Sequence, residues 1–188
     1  MRRRAGRKAA RGRGPAARGA ARRADLLSRG ARIRLLLLDV DGVLTDGRLF
    51  YGPEGEALKA FDVRDGHGMV MLRDHVELGI LPGGPAGPTA SRLQDLRVTH
   101  ASFGNREKLP PYEELVARLG ISDAEVAYMG DDVNDLPVIR RVGLSACPAN
   151  ACPEVLAEAR FVASAPGGRG AVREICELIL RAKGLWNH

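Results

Sequence analysis

The sequence predicts an α/β protein built on a Rossmann-like, doubly wound parallel sheet. Three observations carry the sheet prediction. Short aliphatic runs recur from residue 33 onward, helix-like stretches alternate with them, and carboxylates stand just after two of the runs. Strand–helix alternation implies βαβ units, and ligands on such sheets bind beyond the carboxyl ends of the strands.

The first stretch does not belong to that pattern. Residues 1–34 hold 13 basic side chains and one acid, Asp25, a balance of +12. The 188-residue chain has 29 Lys and Arg against 23 Asp and Glu, so the remainder carries 16 basic and 22 acidic groups, a balance of −6. The overall charge of +6 is therefore a property of the tail. Residues 1–32 are low-complexity Arg, Ala and Gly with hardly an apolar face, a composition that predicts disorder. Such a segment can bind polyanions, imitate a transit peptide, act as a solubilising arm or reflect an overextended start. Residues 33–188 are enough for one domain.

Ile33 to Val40 is an apolar run ending in a turn rich in Asp and Gly, the habit of a central parallel strand buried on both faces. Gly52, Pro53 and Gly55 are turn formers. Further strands are expected at Leu78–Leu81, Arg97–Ala101, Glu125–Met129 and Val142–Ser145. Helices are expected at Gly66–Val76, Ala90–Leu96, Glu107–Leu119 and Val133–Arg141, with a last one after residue 170.

Composition excludes several classes. A hydrophobic share of 45% excludes wholesale disorder, and the run Leu35–Leu38 is far below the ~20 residues of a membrane helix. Cys147, Cys152 and Cys176 have no metal-type spacing, and no apolar signal region follows the basic start, which points to a reducing cytoplasm and a soluble protein. Nucleic acid is an unexpected partner, because the part that folds is acidic.

The chemistry lies in the carboxylates. Asp39 and Asp41 in DVDGVLTDG are two apart at a strand end, where neighbouring anions call for a cation or a shared proton. MGDDVND adds Asp131, Asp132 and Asp135 after another strand, and an all-oxygen donor set suits a hard cation such as Mg²⁺. Lys108 supplies a point charge for a phosphate or a carboxylate. Together they suggest phosphoryl transfer through an aspartyl phosphate. Each acid alone reads first as a helix cap or turn former; it is their joint occurrence at two strand ends, with Lys108, that points to a site.

DVDGVLTDG, Lys108 in FGNREKL, and GDDVNDLP resemble three motifs of the haloacid dehalogenase superfamily. LKAFDVRDGHGMVML, VGLSACPANA and GGRGAVREICELIL narrow the resemblance to the 3-deoxy-D-manno-octulosonate 8-phosphate phosphatase family over residues 33 to about 181. The resemblance implies a capless core with only a small β-hairpin flap, here Arg48 to Asp62, closed by assembly into a homotetramer, and a role in lipopolysaccharide precursor synthesis. It implies Asp39 as nucleophile and Mg²⁺ ligand, Asp41 as acid and base with its main-chain carbonyl on the metal, and Asp131 as the remaining protein ligand. Asp132 and Asp135 would support the ligands and Lys108 would hold the phosphoryl oxygens. Arg64, Asp65, Gly66, Arg92 and Asn134 match substrate-binding positions, and Arg169 would be lent to a neighbouring subunit.

The chain departs from the pattern at the second core strand. Relatives carry Thr or Ser, then Gly and Arg, where this chain has Pro82, Gly83 and Gly84; Val70 likewise replaces an arginine. Loss of a hydroxyl and a guanidinium is worth about 2–4 kcal/mol each. Three readings follow: a working sugar-acid phosphatase, for an eight-carbon substrate or its nine-carbon nonulosonate analogue; a catalytically weakened scaffold; and, least supported, a nucleic-acid-associated protein.

Overall fold

The computed structural model describes residues 15–187. It begins with α1 (Pro15–Gly30), β1 (Leu35–Leu38), β2 (Phe50–Gly52), β3 (Gly55–Leu58), α2 (Val63–Leu72) and β4 (Glu77–Ile80). Then come α3 (Gly87–Leu96), β5 (His100–Ala101), α4 (Leu109–Leu119), β6 (Val126–Met129) and α5 (Leu136–Ile139). The chain ends with β7 (Leu144–Cys147), α6 (Pro153–Glu158), β8 (Phe161–Val162) and α7 (Ala171–Ala182).

Six strands form a parallel sheet in the order β5-β4-β1-β6-β7-β8, and β2 and β3 form a separate antiparallel hairpin. The four leucines of β1 are all buried and alternate between layers. Leu36 and Leu38 pack in the cluster with Met69, Ile175 and Ile179, whereas Leu35 and Leu37 pack with Tyr112, Tyr128 and Val138. A strand covered on both faces needs no polar positions, which is why its sequence reads as a continuous apolar run. After β1 the chain builds outward through β4 and β5, then returns to β1's other edge at β6. The crevice at that reversal, where crossover connections diverge, is the natural ligand position of a doubly wound sheet.

Several boundaries shift for local reasons. Asp62 caps α2 by accepting from the Arg64 amide at 2.6 Å, so the helix starts at Val63. Arg97 adopts a left-handed conformation (φ 55°) as the C-cap of α3, which confines the following strand to His100–Ala101. The expected helix at Val133–Arg141 is a 3-10 turn, Val133–Asp135, followed by the single-turn α5, because Pro137 lies at its start and the Asp132–Asp135 capping box tightens the entry.

The tail is the main departure. Residues 1–14 lie outside the described residues, but residues 15–30, expected to be disordered, form α1. Alanine and arginine are strong helix formers. The last turns dock: Leu26 packs against the core, Gly30 approaches Ala182, and Arg29 donates to the Gly143 carbonyl at 2.9 Å. Glycine at position 30 permits the close approach, since a Cβ there would fall 2.8 Å from that of Ala182. Residues 16–25 are exposed, so the anchorage comes from a few residues that composition alone does not single out.

Candidate active site

Two loops face one another across the crevice between β1 and β6. The first follows β1 and carries Asp39, Asp41 and Gly42; the second follows β6 and carries Asp131 and Asp132. Gly47, Gly83, Gly84 and Asn134 complete the lining. Gly42 has φ +82°, and a Cβ there would collide with the Asp131 carboxylate. This glycine lets the acids of the two loops come together.

Lys108, just before α4, is buried with its ammonium between two carboxylates. It lies 2.7 Å from Asp39 and 2.6 Å from Asp135, and the Asp39 carboxylate also accepts from the Val40 amide at 2.7 Å. Asp135 is completely buried and fully occupied. One oxygen accepts from Lys108 and from the Tyr128 hydroxyl at 2.6 Å; the other accepts from the amides of Asp131 and Asp132 at 2.8 and 3.1 Å. Asp135 therefore positions Lys108 and the whole second loop. Asp132 is a cap as well as a support, its carboxylate accepting from the Val133 amide.

Carboxylate oxygens of Asp39, Asp131 and Asp135 lie within 4.8 Å of one another. Burial pushes the Asp39 pKa up to about 6, with Asp135 adding to the rise and Lys108 and the Val40 amide opposing it. Burial, then repulsion from Asp39 and Asp135, pushes Asp131 up to about 7. Burial pulls the Lys108 pKa down, but the two adjacent carboxylates outweigh it and raise it. The single Lys108 ammonium is shared by Asp39 and Asp135, and Asp131 adds a third carboxylate beside them, so the cluster holds more negative charge than Lys108 can neutralise. That donor set fits a hard divalent cation.

Asp41 lines the same cleft but turns to a different cation. Lys59, immediately after β3, donates to both Asp41 oxygens at 2.7 and 2.8 Å. Nothing local in the sequence distinguishes Lys59 from a solvated flap lysine, and it was not among the expected site residues. Tyr128 was also missed, because a buried tyrosine on a strand reads as core.

The substrate-binding expectations divide. Arg64 and Arg169 share a neighbouring cleft with Arg48, Phe61 and Gly168; Arg64 pairs with Asp62 at 3.0 Å and donates to the Arg169 carbonyl at 3.1 Å. Asn134 faces the carboxylate cleft directly. Asp65 does not line either cleft. It is buried, and its oxygens accept from the amides of Gly170 and Arg173 at 3.1 and 2.7 Å, so it caps α7 instead. Gly66 is buried beneath the Arg92 guanidinium, where a Cβ would collide with it, and neither residue lines the carboxylate cleft. The segment GGRG packs on the first loop: the Gly168 amide donates to the Val43 carbonyl at 2.9 Å, and a Cβ on Gly167 would overlap the Gly42 carbonyl.

Comparison with known proteins decides the family. The model for haloacid dehalogenase-like hydrolases matches residues 103–174. The 3-deoxy-D-manno-octulosonate 8-phosphate phosphatase of Yersinia pestis is 46% identical over 160 residues, covering 85% of this chain and 86% of that protein. The chain belongs to the 3-deoxy-D-manno-octulosonate 8-phosphate phosphatase family. The Escherichia coli K12 member is 45% identical over 162 residues, 86% of each chain. The solved Yersinia pestis phosphatase superposes with a TM-score of 0.83, covering 86% of this chain and 88% of its own. The Moraxella catarrhalis phosphatase, solved with magnesium, phosphate and KDO, superposes with a TM-score of 0.82 at 36% identity, covering 85% of this chain and 92% of its own. This phosphatase family is one of phosphoric monoester hydrolases.

Proposed function

We propose that the chain is a Mg²⁺-dependent phosphatase that hydrolyses 3-deoxy-D-manno-octulosonate 8-phosphate to the free sugar acid and phosphate. The observation that carries this reading is the buried Asp39–Lys108–Asp135 triad beside Asp131, in a family whose Moraxella catarrhalis member holds magnesium, phosphate and KDO. Asp39, Asp131 and the Asp41 main-chain carbonyl would hold Mg²⁺. When bound, the ion supplies the positive charge that lets an anionic phosphoryl group approach an anionic nucleophile.

Asp39 attacks phosphorus, the bond from phosphorus to the sugar oxygen breaks, and Asp41 gives that oxygen a proton. Asp41 then takes a proton from water, which attacks the aspartyl phosphate and releases phosphate with Asp39 restored. Lys108 neutralises Asp39 and the phosphoryl oxygens, and its two carboxylate partners prevent the ammonium from swinging away. Asp132 and Asp135 hold the second loop. Asn134 and the main-chain amides of Gly83 and Gly84 border the reacting group. Arg64, with Arg48, forms a cationic wall suited to the substrate carboxylate.

Assembly as a homotetramer belongs to the same reading. Leu49, Phe50, Tyr51, Leu58 and Val63 on and beside the hairpin are exposed, an apolar surface that a neighbouring copy would cover. In that assembly Arg169 would serve an adjoining subunit. No helix among the described residues is long and apolar enough to cross a membrane. The three free thiols support a cytoplasmic setting, where the product would enter lipopolysaccharide precursor synthesis.

Mg²⁺-dependent phosphate release from the eight-carbon substrate, measured for the wild type and Asp39→Asn, tests the reading. A wild-type rate no higher than the variant's overturns it. A nine-carbon keto-acid phosphate and small phosphate esters assayed in parallel test substrate choice, and a flat profile overturns the sugar-acid assignment.

A further inference from the structure

Asp41 has a partner that the proposed reaction does not explain. The Lys59 ammonium donates to both oxygens of the Asp41 carboxylate, and these are the hydrogen bonds that carboxylate accepts among the described residues. The Lys59 side chain is only 2% exposed, whereas that of Asp41 is 37% exposed and open to the cleft. A second acid, Glu56 on β3, lies 3.3 Å from the same ammonium, and its oxygen is buried without a hydrogen-bond partner. Lys59 therefore ties the flap, through Glu56 and its own backbone, to the loop after β1.

We infer that Lys59 is a positioning residue for Asp41: its ammonium keeps hold of one oxygen while the other, protonated from solvent before the sugar phosphate binds, is aimed at the departing sugar oxygen, so that delivery of that proton depends on the flap being seated. The inference rests on the phosphatase reading and extends it. A flexible aspartate on a loop samples several rotamers, and an ammonium gripping both oxygens restricts them. Two anions around one buried ammonium also make the arrangement hard to replace by a neutral side chain, because Asp41 and Glu56 would then face one another without a cation.

Two esters separate this role from a merely structural one. An alkyl phosphate such as octulosonate 8-phosphate needs its leaving oxygen protonated; p-nitrophenyl phosphate releases a stable phenolate that does not. The quantity to read is kcat/KM, which reports phosphoryl transfer to Asp39, the step in which Asp41 serves only as acid. For Lys59→Met, kcat/KM should fall about 100-fold or more on the alkyl ester and less than about 10-fold on the aryl ester, the span of general-acid contributions. Lys59→Arg should recover most of the loss. Equal losses on both esters in a variant with wild-type circular dichroism, or no loss on the alkyl ester, overturn the role. If Lys59→Met does not fold, Lys59→Gln takes the same two measurements. A wild type that hydrolyses neither ester overturns the phosphatase reading itself, and the positioning role with it.

Discussion

Lys108 donates to Asp135 at 2.6 Å in a pair with no solvent exposure on either side chain. The pair links two elements distant in sequence, and Asp135 spends its other oxygen on the amides that shape the loop carrying Asp131. Removing Asp135 leaves Lys108 with Asp39 alone and strips the second loop of its acceptor, and removing Lys108 leaves two buried carboxylates without their shared cation.

Asp135→Ala should therefore cost about 3–5 kcal/mol of stability, the usual penalty for breaking a buried ion pair, and should weaken Mg²⁺ binding through the displaced loop. Denaturant unfolding and a metal titration check both effects. Tyr128→Phe removes a single hydrogen bond to the same carboxylate and should cost about 1–3 kcal/mol.

Asp39 and Asp131 carry raised pKa values of about 6 and about 7 in the metal-free protein. Unfolded aspartates titrate near about 3.9. The folded chain thus holds more protons than the unfolded one between about pH 4 and about 7, so these groups make stability fall as pH rises through that window. Asp131→Asn should flatten the fall and raise the melting temperature of the chelator-treated protein at pH 8. Thermal denaturation between pH 5 and pH 8 checks this, and an unchanged slope in the variant contradicts it. Mg²⁺ affinity should decline below about pH 7, because protons compete for the same oxygens.

Asp65 caps α7 and should act on stability. Asp65→Ala is expected to cost about 1–2 kcal/mol while leaving KM for the sugar phosphate within about twofold. A large KM change with intact stability would restore it to the substrate.

Pro82 and Gly84 should limit turnover. A Cβ at Gly84 meets only an Asp41 oxygen at 3.9 Å, so a longer side chain has room to enter the cleft. Pro82→Thr combined with Gly84→Arg should raise kcat/KM about 10-fold or more, in line with the value of one oxyanion donor. Steady-state kinetics of the double variant decides, and an unchanged kcat/KM would show that the Gly83–Gly84 main chain already suffices.

The parallel sheet and the two acidic loops were legible because their signals are local. A strand buried on both faces must be apolar throughout, as Leu35–Leu38 is, and the turns that follow such strands must carry the polar chemistry. Asp39, Asp41, Lys108, Asp131 and Asp135 could be singled out for that reason. The uses of Asp65, Lys59 and α1 were not legible. Asp65 looks like part of a binding segment until α7 is seen to present its amides to it, from more than 100 residues away.

Lys59 likewise gains its meaning from Asp41, 18 residues earlier. Residues 15–30 gain theirs from Gly143 and the end of α7, since a weakly apolar helix is stabilised only where its few contacts find a surface. Sequence by itself determined the sheet, the phosphatase motifs and the departure at Pro82 and Gly84, all of which depend on residue type and short spacing. Tertiary structure decided which charge each carboxylate answers to, because a buried ion pair is set by the groups that folding brings within 3 Å of it, whatever their separation along the chain.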